Sequence, residues 1–344
     1  MNENESSTKT RYYYRNQKYI NTSPHICNNF IIFSQMYEPG TRILDKYVLR
    51  ERIGSGAFGE VWSADSASTG EPVAVKMERI QGNPAPTLQY ESRVLQLLHG
   101  SLGIPRLRYF GRKDDMNGIF MVTDLLGPSL ETLATSPRLD LNEHALKNPP
   151  PQHEEFISQI GRQMLQRLKS VHSRGMLHRD VKPDNFLFAR TPELDLSKRA
   201  AHQSAPVPVP LLHLIDFGMA KRISPILHKK EEKEGVRDVP VPGFQLIGSA
   251  RYASVAAHRG DPVGRRDDLI SMMYSLIYVA NGGVLPWQNY AEIDIYYIKD
   301  NMTPSEICAG LSQRHATQWA SILERLHGMQ AHDVPAYADI ESLL

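Results

Sequence analysis

The sequence predicts an α+β fold of two lobes, a small antiparallel β-sheet lobe followed by a larger, mainly helical lobe. From Tyr47 the chain runs in short β-like stretches, YVLRERI, EVWSA and PVAVKME, set apart by Gly and Ser-Thr-Gly turns. That pattern breaks at LLGPSL, 125 to 130. Beyond the break, in QHEEFISQIGRQMLQRLKSVHSRG, Phe156, Ile160, Met164, Leu168 and Val171 recur at helical spacing and Gly175 follows as a stop.

In chain order, residues 1–40 are rich in Asn, Ser, Tyr and Lys without a sustained period, which predicts a disordered extension. The folded domain is placed at 41–344, with the sheet lobe at 41–124, the hinge at 125–130 and the helical lobe at 131–344. Within the sheet lobe, TLQYESRVLQLLHG sets Leu88, Val94, Leu95 and Leu98 near helical spacing, so one helix ending at Gly100 is expected, with a strand pair over 104–124. Loop insertions are expected at about 134–153, which holds a Pro-Pro-Pro run, and at 190–210, which ends in PVPVP. A hairpin absorbs the second, because only its tip lengthens. The apolar run LISMMYSLIYVA at 269–280 is too short for a bilayer span and reads as a buried helix.

With 344 residues the chain is long enough for two packed lobes and a cleft. A formal net charge of +1 supplies no global basic field for nucleic acid, and no run of the sequence points to a membrane. Cys27 and Cys308 offer neither a disulfide framework nor a zinc spacing, and the polar start MNENESSTKT is not a signal peptide. An intracellular, reducing setting is expected.

The chemistry is carried by three strings. HRDVKPDN spans 178–185, DFG spans 216–218, and IGSGAFGEV spans 53–61. HRD alone could cap any helix, DFG alone is an ordinary turn, and a lone glycine-rich string is weak. A dinucleotide-binding reading of the third needs a helix after the last Gly, whereas Glu60, Val61 and Trp62 continue as a strand. In combination and in this order they resemble the loops of eukaryotic protein kinases, which implies a two-lobed protein-kinase-like fold. On that resemblance Asp180 accepts the proton of a substrate hydroxyl, Lys182 neutralises charge on the γ-phosphoryl group, and Asn185 and Asp216 hold Mg2+ between the phosphates of ATP. Ile53, Gly54, Ser55, Gly56, Ala57, Phe58 and Gly59 cover the phosphates. Val61, Ala74 and Leu187 sandwich the adenine, the backbone of Asp124 and Leu126 reads its edge, and Thr123 and Ile215 complete the pocket. Lys76, at the end of VAVK, contacts the α- and β-phosphates and is held by Glu91. His178 and Phe217 are read as packing residues, and Arg266 and Asp268 as structural.

At LLGPSLE (125–131), HRDVKPDNF (178–186), IDFGMAK (215–221), GSARYAS (248–254), RRDDLIS (265–271) and GVLPW (283–287), the sequence closely resembles the casein kinase 1 family. The resemblance runs from about Asp45 to Leu344. It implies a monomeric, ATP- and magnesium-dependent serine/threonine protein kinase of cytoplasm or nucleus, acting on Ser or Thr in acidic or already phosphorylated protein substrates. AYADIESLL resembles the end of the catalytic domain, and with the sequence stopping just after it no inhibitory or membrane-anchoring C-terminal tail is expected. Arg251 and Gly283 match an anion pocket for such substrates. Positions 288–298, however, hold no Lys or Arg and do hold Glu292 and Asp294, which oppose a phosphate by repulsion. Lys221, Arg222, Arg259, Arg265 and Arg266 are the cations left to compensate. Thr123 stands where the family often has a larger Met, which implies a roomier pocket behind adenine. Activity without phosphorylation of the segment 219–253 is expected. The alternative from another class is a pseudokinase acting as a nucleotide-binding scaffold; the presence of Lys76, Asp180, Asn185 and Asp216 argues against it.

Overall fold

The computed structural model describes residues 37–56, 59–80, 87–114, 116–135, 147–190, 209–223 and 246–344. The chain divides into Met1–Glu38 and Pro39–Leu344, and the elements below belong to the second unit. The extension expected over 1–40 and the tips of both loop insertions lie mostly outside the described residues, as do Ala57 and Phe58.

Six strands form one antiparallel sheet: β1 (Arg42–Ile43), β2 (Tyr47–Gly56), β3 (Gly59–Ser66), β4 (Pro72–Arg79), β5 (Leu107–Lys113) and β6 (Gly118–Asp124), in the order β1-β2-β3-β4-β6-β5. β1 has no counterpart in the sequence reading, since two residues are too few to show a period. Strand alternation decides what faces the cleft. On β4, Val73, Val75 and Met77 are buried, which turns Ala74 and Lys76 to the other side. Two register irregularities, at Leu49/Glu51 and Arg52/Gly54, add bend to β2 as it nears the glycine-rich turn. Helix α1 (Leu88–Leu97) packs on β5 and β6. Its first turn has no cap of its own; instead the buried carboxylate of Glu78 on β4 accepts from the Leu88 backbone N–H at 3.1 Å and from the Thr87 hydroxyl.

Past β6 the chain becomes helical. Helix α2 (Leu130–Ala134) starts at Ser129, whose hydroxyl accepts from Thr132 N at 3.2 Å. The long helix Pro151–Ser173 buries Ile157, Ile160, Met164, Leu168 and Val171, and Gly175 follows it at φ 73°. The insertion expected over 134–153 is therefore too wide at both ends: Ala134 closes α2, and Pro151 to His153 already belong to the long helix. Pro151 sits in the first turn, where no N–H is needed, so a proline run that reads as loop is here the start of a helix. The helix Arg265–Ala280 is buried from Asp267 to Ala280, as the apolar run at 269–280 predicts, and packs on the long helix. Among the described residues no helix is long and apolar enough to cross a membrane.

Short strand pairs carry the loops between these helices. β7 (Met176–Leu177) pairs with β10 (Lys221–Arg222), and β8 (Phe186–Phe188) pairs with β9 (Leu212–Leu214). The arms of the β8/β9 hairpin flank the second insertion, and the Pro210 carbonyl at its far edge is already docked, accepting from Gln163 Nε2 at 3.1 Å. The predicted two-lobed α+β architecture is the one observed.

Candidate active site

The sheet supplies the upper wall of the cleft. Register pairs Val61 with both Gly54 and Lys76, Ser55 with Glu60, and Gly56 with Gly59, so the two arms of the glycine-rich string lie side by side as paired strands, a flap over the cleft. Gly59 is demanded by packing: a Cβ there would lie 1.8 Å from the Met77 carbonyl oxygen. Ile53 is 49% exposed on the flap. Ala74 pairs with Thr123, which brings the two to one place on β4 and β6. Asp124 ends β6 with its carboxylate committed, accepting from Arg106 N and from Arg108 Nε at 2.8 Å each, while Arg108 also grips Glu71. That network fixes the start of the hinge. Past Leu126, Gly127 N donates to Phe188 O at 2.8 Å and Ser129 bridges Leu187, so half-buried Leu187 lies along the hinge.

Lys76 joins the two lobes. Its Nζ lies 2.8 Å from Glu91 Oε2 and 3.3 Å from Asp216 Oδ1. The other oxygen of Glu91 accepts from Phe217 N at 3.3 Å, so α1, β4 and the 216–218 turn are tied through one carboxylate. Burial works against the Lys76 charge, but the carboxylates of Glu91 and Asp216 outweigh it and hold its pKa above the ordinary lysine value. For Asp216 burial is likewise outweighed, by Lys76 first and then His178, and its pKa is lowered. Buried Glu91 is pushed up by desolvation despite its lysine. Asp216 has φ 63°, a left-handed backbone that a non-glycine residue adopts only when its surroundings hold it there. Phe217 is fully buried with its ring edge-on to His178, whose Nε2 donates to Ile215 O at 3.0 Å. Both are packing residues, as read.

The 178–185 loop is built around Asp268, which sequence reading left as merely structural. Its buried carboxylate accepts from His178 N at 2.7 Å, Arg179 N at 2.8 Å and His172 Nε2 at 2.9 Å. Burial opposes this charge, yet the histidines and backbone donors lower the pKa. Arg179 is held at φ 68°, and its Nε donates to Met219 O at 2.7 Å. Asp180 follows, 8% exposed. Its Oδ2 accepts from Lys182 Nζ at 2.8 Å and its Oδ1 from the Ser249 hydroxyl at 2.9 Å, while Lys182 Nζ also reaches Ser249 Oγ at 3.3 Å. Asn185 Nδ2 donates to Asp180 O at 2.8 Å, and Ile215 N donates to Asn185 O at 2.9 Å, which joins this loop to the Asp216 loop. Ser249 has no role in the sequence reading beyond its place in GSARYAS; the available signal was a hydroxyl two residues before Arg251. Gly248 beside it has φ 93°, and a Cβ there would lie 2.5 Å from Arg179 O and 3.4 Å from Asp180 Oδ1.

Arg251 and Gly283 are not in this cluster but meet at Tyr278. The Arg251 guanidinium lies 5.9 Å from the rings of both Tyr252 and Tyr278, and a Cβ on Gly283 would lie 3.5 Å from the Tyr278 hydroxyl. Gly283 N donates to Tyr278 O at 2.8 Å, and the Tyr278 hydroxyl donates to Glu131 at 2.9 Å. Burial, then Glu131, push the Tyr278 pKa up to about 12. Of the compensating cations, Arg259 is paired with Asp300 at 2.6 Å and Arg266 with Asp267 at 3.6 Å, while Lys221 and Arg222 are exposed on β10. The cation missing from 288–298 comes one residue later, as Lys299, and it is buried.

A family model described as the protein kinase domain matches residues 47–317, well over half of the chain. That family implies protein substrates, ATP and a divalent metal, and the donors present fit such a cation. Asp216 brings a carboxylate, and Asn185 spends its N–H on Asp180 and keeps its carbonyl oxygen, both hard oxygen donors. Among the described residues no group of three or more His, Cys, Asp or Glu is placed to hold a metal ion by itself. The match and the joined Lys76, Glu91, Asp180, Asn185 and Asp216 together make this chain a member of the protein kinase domain family.

Proposed function

We propose that the chain is a serine/threonine protein kinase of casein kinase 1 type, transferring the γ-phosphoryl group of Mg-ATP to Ser and Thr hydroxyls of protein substrates. The observation that carries this reading is the triangle of Asp180, Lys182 and Ser249. The Asp180 carboxylate already accepts one hydroxyl at 2.9 Å, the reach a general base needs toward a substrate hydroxyl. As the substrate oxygen bonds to the γ-phosphorus and the bond to ADP breaks, the hydroxyl proton passes to Asp180. Lys182, 2.8 Å from the same carboxylate, meets the charge on the transferred group. Lys76, held by Glu91, orients the α- and β-phosphates. Asn185 and Asp216 would hold Mg2+, which would supply neutralisation of phosphate charge.

The casein kinase 1 assignment is supported by the run of motifs from LLGPSLE to GVLPW. A monomer in cytoplasm or nucleus, with no nucleic-acid or membrane partner, follows from the same resemblance and from the near-neutral charge. For substrate context we favour unprimed, acidic peptides. The Gly283 N–H is already spent on Tyr278 and Arg251 lies beside a Glu131 carboxylate, which leaves a substrate phosphate few free donors. A peptide panel tests the reading: matched Ser, Thr and Tyr acceptors in acidic and neutral context, each with and without a phosphoserine upstream. Transfer to Ser and Thr with less than about threefold gain from priming is expected. Tyr-only transfer, or a gain of a hundredfold from priming, contradicts it.

A further inference from the structure

Segment 250–253 carries Arg251 and Tyr252 and follows Ser249, the partner of Asp180. Its carbonyls have no strand or helix to satisfy them, and each of three is captured by a side chain from the helical lobe. Lys299 Nζ donates to both Ala250 O and Ala253 O at 2.7 Å. Trp287 Nε1 donates to Arg251 O at 2.7 Å, and His258 Nε2 adds a 3.1 Å bond to Ala250 O. Lys299 is 2% exposed and has no carboxylate partner among the described residues. Its Nζ lies 4.9 Å from the Trp287 ring centre and 5.1 Å from that of Tyr274. A buried lysine is expensive to keep, and this one meets two ring faces and two carbonyl oxygens, with His258 beside it on Ala250 O. Burial drives its pKa well below the ordinary lysine value. Either protonation state has the two N–H groups that both bonds need.

We infer that Lys299 is a positioning residue for the peptide substrate: by bridging the two ends of 250–253 it fixes the surface on which the substrate backbone lies and, through Ser249, its register with Asp180. The inference rests on the kinase reading above. Lys299 touches neither nucleotide-site residue nor catalytic carboxylate, so its effect is on peptide binding and not on ATP.

Lys299→Met tests it, since Met keeps the contact with Trp287 and Tyr274 and removes both bonds. KM for an acidic Ser peptide should rise at least about tenfold with KM for ATP within about twofold, and kcat should fall by less than the roughly tenfold expected when the Ser249 hydroxyl is removed. Amide exchange of residues 249–254 should accelerate at least about tenfold, with the 178–185 loop much less affected. Unchanged peptide KM and unchanged exchange in the folded variant overturn the inference; so does a parallel loss in ATP KM, peptide KM and kcat, which is what general destabilisation gives. If Lys299→Met does not fold, Trp287→Phe removes the neighbouring bond to Arg251 O, and the same exchange and KM contrasts decide. A wild type that phosphorylates no peptide defeats the kinase reading, while the exchange contrast at 249–254 still judges the role of Lys299.

Discussion

Replacing Asp268 by Asn changes one oxygen for an NH2 and should disable the catalytic loop from beneath. The wild-type carboxylate takes three hydrogen bonds, two from successive backbone N–H groups of His178 and Arg179 and one from His172. The amide keeps one oxygen, so at least one buried donor faces another donor. An unsatisfied buried group costs about 1–3 kcal/mol, and a lost bond to a charged acceptor is worth a similar amount. The left-handed Arg179 backbone, held at φ 68°, stores strain on the order of 1–3 kcal/mol that these bonds restrain. Not all of these add, and a stability loss of about 3 kcal/mol is expected. As Arg179 relaxes, Asp180 moves with it; about 2.7 kcal/mol of lost transition-state stabilisation is roughly a hundredfold in kcat. Denaturant titration and steady-state kinetics on Asp268→Asn measure both. A pH series adds a signed check. The Asp268 pKa is lowered in the fold, so its stabilisation is fully present above the ordinary Asp value of 3.8 and is lost as pH falls through the lower folded value. The stability gap between wild type and mutant should therefore shrink only at strongly acid pH. Stability within about 0.5 kcal/mol and kcat within twofold would refute the reasoning.

Lys76→Met leaves Glu91 buried without its cation and should weaken binding of a non-hydrolysable ATP analogue by about ten- to a hundredfold in calorimetry, taking 1.4 kcal/mol per tenfold. Gly248→Ala forces a Cβ against Arg179 O at a φ of 93°; kcat should fall at least about tenfold with KM for ATP unchanged, as read from initial rates. Ser249→Ala removes the hydroxyl between Asp180 and Lys182 and should lower kcat about tenfold, whereas Ser249→Thr keeps it and should stay near wild type.

The parts legible in the sequence are those whose chemistry is local. HRDVKPDN, DFG and the glycine-rich string each hold their residues within one loop, and the period of residues 156–171 is visible because one helix face is buried. Lys76 and Glu91 lie on neighbouring elements, and their 2.8 Å contact could be expected from strand and helix together. What escaped are partners distant in sequence. Asp268 is an ordinary acid at a helix start until the fold brings it under His178 and Arg179. Ser249 is one serine among many until it meets Asp180. Lys299 sits among Glu292, Asp294 and Asp300 and reads as a surface charge; only burial against Trp287 and Tyr274 reveals it as an internal donor. The proline run at 149–151 misled because Pro both breaks a helix and begins one, and the following turns decide which.

The central claim is that Asp180 accepts the substrate proton in a protein-kinase reaction. It is tested most directly by transfer of labelled γ-phosphate from Mg-ATP to casein and to the Ser and Thr peptides, comparing wild type with Asp180→Asn at matched folding. Robust wild-type transfer that falls at least about a thousandfold in the variant, with ATP binding retained, is the predicted result. Wild-type protein that binds ATP but labels neither casein nor any peptide, or a variant that transfers at the wild-type rate, would contradict it.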